Sequence, residues 1–501
     1  MAQIAAAGPS GEIGRLRERS LLRESAYVGG QWIEADSGGS FAVLDPASGE
    51  ELARVPRMGP AETRRAIDAA GNALPAWRAM LAKDRARTLR RWADLMIEHV
   101  DDLALLLTTE QGKPLAESRA EIAYAASFLE WFGEEGKRIY GDTIPTYLSD
   151  RRVVVTKQPV GVTAGITPWN FPAAMVTRKA APAIAAGCTM VLKPAEQTPL
   201  SALAVAKLAH EAGLPPGVLN IVTGDAEDAP RIGREMTSNP IVRKLGFTGS
   251  TEVGKLLMQQ CASQVKKVSL ELGGNAPFIV FEDADLGEAV AGALLCKYRN
   301  SGQTCISANR ILVQDSVHDE FLLRLTEGAT ALKVGGGTEP DVNVGPLIDE
   351  HALAKVERHV AQALEGGAEL LAGGGRHERG QTFFQPTVLA GVTASMSISS
   401  EETFGPVAGV GRFSSERDAI ETANNTPYGL ASYFYSRDVG RIWRVSEALE
   451  FGILGINTGF ISTEVAPFGG LKESGIGREG SKYGIDEWLE IKYLCMGGID
   501  S

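Results

Sequence analysis

Among five cysteines, Cys305 is set apart by its surroundings. It follows Asn300-Ser-Gly-Gln-Thr304, a polar, glycine-containing turn after an apolar helical pattern. A nucleophilic thiolate needs such access and such donors. Cys188, Cys261 and Cys296 lie in apolar helical patterns, where a thiol is usually inert filler, and Cys495 lies in a short β-like stretch. The chain has six histidines, none in a recognisable active-site setting, so a Cys–His hydrolytic pair is not indicated. A cysteine nucleophile without a histidine points to carbonyl chemistry. Glu271, in Leu270-Glu-Leu-Gly-Gly-Asn275, is a charge at the end of an apolar run. Burial would raise its carboxyl towards the range of a general base, although a salt-bridged structural Glu fits equally well. Asn170, in Pro168-Trp-Asn-Phe-Pro172, could donate its amide to an oxyanion or simply cap the helix that follows.

Three stretches bear on phosphate and ribose. Phe247-Thr-Gly-Ser-Thr251 closes an apolar run and opens a helix, and free backbone N–H groups there favour anions. Glu196, in Lys193-Pro-Ala-Glu196, could accept hydrogen bonds from ribose hydroxyls. The one GxGxxG match, Gly475-Ile-Gly-Arg-Glu-Gly480, is a decoy. Lys472, Glu473 and Ser474 precede it where a dinucleotide fingerprint needs a strand, and no βαβ unit follows.

These residues need a scaffold. Apolar runs at 160–166, 190–192, 218–222, 242–247 and 268–272 alternate with helical patterns at 172–186, 201–212 and 251–261. Such alternation predicts a parallel sheet covered by helices, with ligands at the carboxyl ends of its strands. A second α/β unit is predicted from strands at 278–281, 311–313 and 453–456 and helices at 286–298 and 318–332. Residues 27–33 read as a strand, 61–73 and 85–100 as helices, and 153–157 and 491–496 as short flanking β pieces.

Composition narrows the class. The chain has 501 residues, about 22% of them charged, with a net charge of −12. That excludes a disordered chain and argues against nucleic acid, which demands a basic footprint. An odd number of cysteines without a CxxC pair indicates neither a disulfide framework nor a zinc site. No apolar run reaches the ~18 residues of a membrane helix, so no membrane partner is expected. Residues 1–25 mix arginines with Glu12, Glu18 and Glu24, unlike a transit peptide, and read as a frayed N-terminal arm of a cytoplasmic protein. Gly is in surplus, 57 residues, which suggests many tight turns or close approaches to a ligand.

Taken in order, Pro168-Trp-Asn-Phe-Pro172, Lys193-Pro-Ala-Glu196, Phe247-Thr-Gly-Ser-Thr251, Leu270-Glu-Leu-Gly-Gly274, Gly302-Gln-Thr-Cys305, Glu402-Thr-Phe-Gly-Pro406 and Pro467-Phe-Gly-Gly470 resemble the aldehyde dehydrogenase superfamily from residue 26 onwards. The resemblance implies an α/β fold. A Rossmann-type cofactor domain (26–140 and 160–275) would join an α/β catalytic domain (276–485) and a small β oligomerisation flap (141–159 and 486–501). It implies that Cys305 attacks an aldehyde, that Asn170 and the Cys305 N–H hold the oxyanion, and that Glu271 activates the water that hydrolyses the thioester. Hydride would go to a nicotinamide. Cofactor contacts are expected from Thr167, Pro168, Trp169, Lys193, Glu196, Gly249, Ser250, Gly254, Leu272, Glu402, Phe404 and Phe468.

Within that superfamily the chain is most similar to succinate-semialdehyde dehydrogenases, through Glu110-Gln-Gly-Lys-Pro114, Ile139-Tyr-Gly-Asp-Thr143 and Glu479-Gly-Ser-Lys-Tyr-Gly484. The likeness implies a small semialdehyde bearing a carboxylate, held by Arg178 and Arg299 with help from Ser462, because a guanidinium can bond a carboxylate bidentately. Glutarate semialdehyde, one methylene longer, is the near alternative. A CoA-acylating enzyme is disfavoured by Glu271, and a non-enzymatic scaffold by the full set of site residues. Ser307 stands where some relatives carry a second cysteine, so no disulfide to that position is expected. Glu196 would welcome ribose hydroxyls and repel a 2′-phosphate, so NAD is expected to be preferred, while Lys193 leaves room for NADP. A homo-oligomer, dimer or tetramer, is expected, with the 491–496 strand pairing between subunits.

Overall fold

In the computed structural model, which describes residues 12–499, the five expected strands lie side by side in one parallel run. Their spatial order is Leu219–Ile221, Thr189–Lys193, Val162–Ile166, Val242–Thr248, Lys267–Glu271. The order reverses between Val162–Ile166 and Val242–Thr248, the place where an open doubly wound sheet leaves a crevice for ligand. The stretch read as one strand at 27–33 is a hairpin, Ala26–Val28 with Gln31–Ile33, added antiparallel to one edge. Gly475–Ile476 closes the other edge, making eight strands.

The helices obey their caps. Ala174–Ala186 is buried along its whole length and ends on Gly187 at φ 97°, a left-handed stop that glycine adopts without strain. Thr251–Ala262 begins at Ser250, whose hydroxyl accepts from Val253 N at 3.3 Å. Long helices Pro60–Ala79, Ala82–Glu98, Val100–Gln111 and Leu115–Glu135 bury Trp77, Trp92 and Phe132 beside Ala174–Ala186. Large buried rings of this kind contribute about 1.5–3 kcal/mol each by leaving water.

The second unit is a seven-stranded sheet in the order Glu369–Ala372, Thr387–Ala390, Val407–Phe413, Ala308–Gln314, Ala276–Val280, Ala431–Tyr435, Ile453–Ile456. It is parallel except for its first pair. Helix Leu286–Tyr298 crosses from Ala276–Val280 to Ala308–Gln314. A third sheet stands apart from both: Arg151–Pro159 pairs antiparallel with Leu489–Gly497 on one side and Asp142–Ile144 on the other. Ile491, Tyr493 and Met496 are exposed on it.

The frayed arm expected at 1–25 needs correction. Residues 1–11 lie outside the described residues, but 12–25 are packed down: Ile13, Leu16 and Leu21 are buried, and the Asp102 carboxylate accepts from Arg17 N and Glu18 N. Among the described residues no helix is long and apolar enough to cross a membrane.

Candidate active site

The helix Leu286–Tyr298 gives way to three successive left-handed residues, Asn300 at φ 51°, Ser301 at φ 56° and Gly302 at φ 75°. They turn the chain so that Cys305 lies at the cleft between the two large sheets. Glycine is required at 302, because a Cβ there would come within 2.2 Å of Gly405 O. Gly274 serves the same turn from the other side, since its Cβ would lie 2.4 Å from Cys305 O. Enclosure pushes the Cys305 thiol up to about 12, with Glu402 and Glu271 adding to the rise and Arg178 opposing it.

Glu271 ends the strand Lys267–Glu271. Both of its carboxylate oxygens are buried without a hydrogen-bond partner among the described residues. Burial, then the nearby Glu479, raise its carboxyl well above the usual range, against Arg178 and Lys179. Its backbone is fixed on two sides: Glu271 pairs with Gly475, and Glu271 O accepts from Gly249 N at 3.0 Å. The Asn170 amide donates to Gln303 O at 3.1 Å, while its Oδ1 is buried and unpartnered.

Cys305 borders two cavities. One, of about 350 Å³, is lined by Pro168, Trp169, Asn170, Gly249, Ser250, Leu272, Glu402 and Phe404. Phe404, itself left-handed at φ 56°, meets Trp169 edge-on at 5.5 Å. Glu402 accepts from Gly274 N at 3.1 Å, and enclosure lifts its carboxyl to about 7. This cavity continues past Gly249 and Ser250 into a larger one of about 920 Å³ that reaches Thr167, Lys193 and Glu196. The run fits a dinucleotide: it crosses the sheet's switch point, passes the capped start of Thr251–Ala262, and ends at a carboxylate. Gly254 does not line it. A Cβ there would lie 2.3 Å from the Leu272 side chain, so this glycine lets helix and loop approach.

The other cavity, of about 150 Å³, lies beyond Cys305 and is lined by Arg178, Arg299, Ser462, Phe171, Phe460 and Phe468 among others. Phe468 was expected among the cofactor contacts. It sits on this side instead, its ring 4.2 Å from the Arg178 guanidinium carbon, and that cation–π contact explains the placement. The two arginines differ. Arg178 is buried and its Nη2 is 2.9 Å from Glu479. Arg299 is half-buried between the rings of Phe171 and Phe460, with no carboxylate within 4.0 Å among the described residues.

Sequence reasoning missed Glu479, although it lies inside the GxGxxG decoy. Its carboxylate takes Lys179 Nζ at 2.6 Å as well as Arg178, and Lys179 also donates to Thr248 Oγ1 at 2.6 Å. Burial would raise Glu479, but Lys179 and Arg178 together hold it low. Adjacent cations at 178 and 179 inside an apolar helix were the available signal, because buried charges demand a partner. The decoy motif is thus an edge strand and turn that flank Glu271.

The sequence profile of the Aldehyde dehydrogenase family matches residues 32–494. The chain belongs to that family. It is 62% identical over 483 residues to succinate-semialdehyde dehydrogenase [NADP(+)] GabD of Escherichia coli, covering 96% of this chain and 100% of that one. It is 63% identical over 485 residues to glutarate-semialdehyde dehydrogenase of Pseudomonas aeruginosa, covering 97% and 100%. The crystal structure of succinate-semialdehyde dehydrogenase from Burkholderia pseudomallei matches with a TM-score of 0.95 at 61% identity, over 97% of this chain and 100% of that one.

The expected preference for NAD does not stand. The E. coli family member is named for NADP(+). The expectation from Glu196 gave Lys193 only a partial offset, yet Lys193 Nζ lies 3.3 Å from Glu196 Oε2, and Arg231 and Arg234 line the same cavity. A carboxylate with a cation this close repels a 2′-phosphate less than a bare charge would, for which the cost is on the order of 1–4 kcal/mol.

Proposed function

We propose that the protein oxidises succinate semialdehyde to succinate, with a nicotinamide dinucleotide as oxidant. The arrangement that supports this most directly is the cavity of about 150 Å³ with the Cys305 thiol at its mouth and, on its wall, the Arg299 guanidinium, which has no ion-pair partner within 4.0 Å among the described residues. A short chain with an aldehyde at one end and a carboxylate at the other spans such a site. In an acidic chain, local positive charge of this kind is needed to receive an acidic substrate.

Cys305 is the nucleophile, as the thiolate left when its proton goes to solvent, and Glu271 is the base of the hydrolytic half, since a carboxyl raised by burial is matched to such work. The Asn170 amide and the Cys305 N–H stabilise the oxyanion of the thiohemiacetal. A bound nicotinamide supplies the acceptor for the hydride. Glu402 and Phe404 hold the reactive end of that cofactor, while Lys193, Glu196 and Ser250 hold its far end. Glu271 then takes a proton from water as it attacks the thioester. Arg299 and Ser462 hold the substrate carboxylate, with Arg178 beside them. The eight-stranded sheet is the cofactor half, the seven-stranded sheet the catalytic half, and the three-stranded flap, with Ile491, Tyr493 and Met496 exposed, the face that joins a second copy.

Glutarate semialdehyde is the second reading, supported by the name of the P. aeruginosa relative. Initial rates with both semialdehydes and with butanal, each with NAD and NADP, test the proposal. Charged hydrogen bonds of about 1.5–3 kcal/mol predict that kcat/KM for a semialdehyde exceeds that for butanal by about tenfold to hundredfold. Equal values overturn it.

A further inference from the structure

Asn300 joins two loops whose spacing decides whether the chemistry works. Its side chain is fully buried and saturated: Oδ1 accepts from Gln111 Nε2 at 3.0 Å, and Nδ2 donates to Asn170 O at 3.0 Å and to Gln303 O at 3.3 Å. Its backbone N donates to Glu117 Oε2 at 2.8 Å. Asn170 lies in the loop after a strand of the eight-stranded sheet, whereas Gln303 is two residues before Cys305 on the side of the seven-stranded sheet. One amide therefore ties the oxyanion loop to the nucleophile loop, across the cleft.

The residue type follows from the position. At φ 51° the backbone is left-handed, which Asn tolerates better than most residues. Only an amide supplies an acceptor and two donors from a side chain this short. The same Asn170 carbonyl also accepts from Lys113 Nζ at 2.7 Å, and Lys113 is balanced by Glu121 at 2.6 Å. Glu121 Oε1 in turn accepts from Ala173 N at 3.0 Å, so the loop is held at both ends.

We propose that Asn300 is a positioning residue that sets the distance between the Asn170 amide and the Cys305 thiol, with the buried Lys113–Glu121 pair steadying the same carbonyl. This rests on the reading of Asn170 as an oxyanion donor. Oxyanion donors act over a window of a few tenths of an ångström, and a misplacement of about 1 Å costs on the order of a hundredfold in rate.

A double-mutant cycle tests it on the full chain. Asn300→Gly keeps the left-handed backbone and removes the amide. Asn300→Asp keeps the shape and removes the donors. Single-turnover NADPH formation with excess enzyme reports the acylation step, and quenching of tryptophan fluorescence by NADP reports cofactor affinity. Each Asn300 variant should slow acylation about tenfold to hundredfold with cofactor affinity unchanged. In an Asn170→Ala background the same changes should cost less than about twofold, because the donor they position is gone. Full multiplication of the two effects overturns the proposal, as does wild-type acylation in Asn300→Asp. An Asn170→Ala variant that acylates at the wild-type rate instead overturns the underlying reading of Asn170. Should Asn300→Gly melt early, the near-isosteric Asn300→Asp carries the cycle.

Discussion

Glu479 lies 2.9 Å from Arg178, so one of the two arginines bordering the substrate cavity already has its counter-ion. The same carboxylate adds to the rise of Glu271. Glu479→Gln removes that negative charge and leaves Arg178 and Lys179 unopposed, so Glu271 should ionise at lower pH. Activity that depends on ionised Glu271 falls as pH drops through its raised pKa. The acid limb of the kcat profile should therefore move to lower pH in the variant. Breaking a buried ion pair from one side costs about 3–5 kcal/mol, so the melting temperature should fall as well. An unmoved acid limb contradicts the coupling.

Glu271→Gln should separate the two halves of the reaction. The water-activating base is lost, so acyl-enzyme should accumulate and steady-state turnover should drop by about two to four orders of magnitude. Intact-mass measurement after mixing with semialdehyde and NADP should find the added acyl group on Cys305. Unchanged turnover rejects the role.

Arg299→Gln should act on the substrate's charged end alone. Losing a charged hydrogen bond of about 1.5–3 kcal/mol should lower kcat/KM for succinate semialdehyde by about tenfold to hundredfold, mainly through KM. Butanal, which has no carboxylate, should be oxidised as before. A parallel loss for both aldehydes places Arg299 in the fold rather than in recognition.

Lys193→Met should expose the bare charge of Glu196. NADP affinity, read by fluorescence titration, should fall by about tenfold or more, and NAD affinity by less, because only NADP brings a phosphate to that carboxylate. Adding Glu196→Ala to the same chain should restore much of the loss. Equal losses for the two cofactors contradict compensation by Lys193.

The five parallel strands and the helices between them were legible because each rests on contacts close in sequence: a run of apolar residues, a Pro at a helix start, a Gly at its end. Cys305, Glu271 and Asn170, which we propose as nucleophile, base and oxyanion amide, could be singled out for the same reason, each standing out from its own neighbours. What lay hidden depends on chain segments that meet only in three dimensions. Lys179 and Glu479 are 300 residues apart, and no local pattern announces their pairing. Phe468 was placed with the cofactor because its motif sits among cofactor motifs, whereas its ring is fixed by Arg178. Lys193 was read as only a partial offset to Glu196, three residues on, because the spacing does not show that its Nζ comes within 3.3 Å of the carboxylate. A spacing gives a residue's position but not where its side chain reaches.

The edge strand Gly475–Ile476 has a consequence for synthesis. It seals the open side of Lys267–Glu271, and the turn after it delivers the anion that Arg178 and Lys179 require. A few residues further on, Leu489–Gly497 takes up its place along Arg151–Pro159. Until that stretch has left the ribosome, a strand edge stays unpaired and two cations wait in an apolar helix for their partner. Both the last strand of the eight-stranded sheet and the anion beside Arg178 and Lys179 are therefore supplied by residues made late in synthesis.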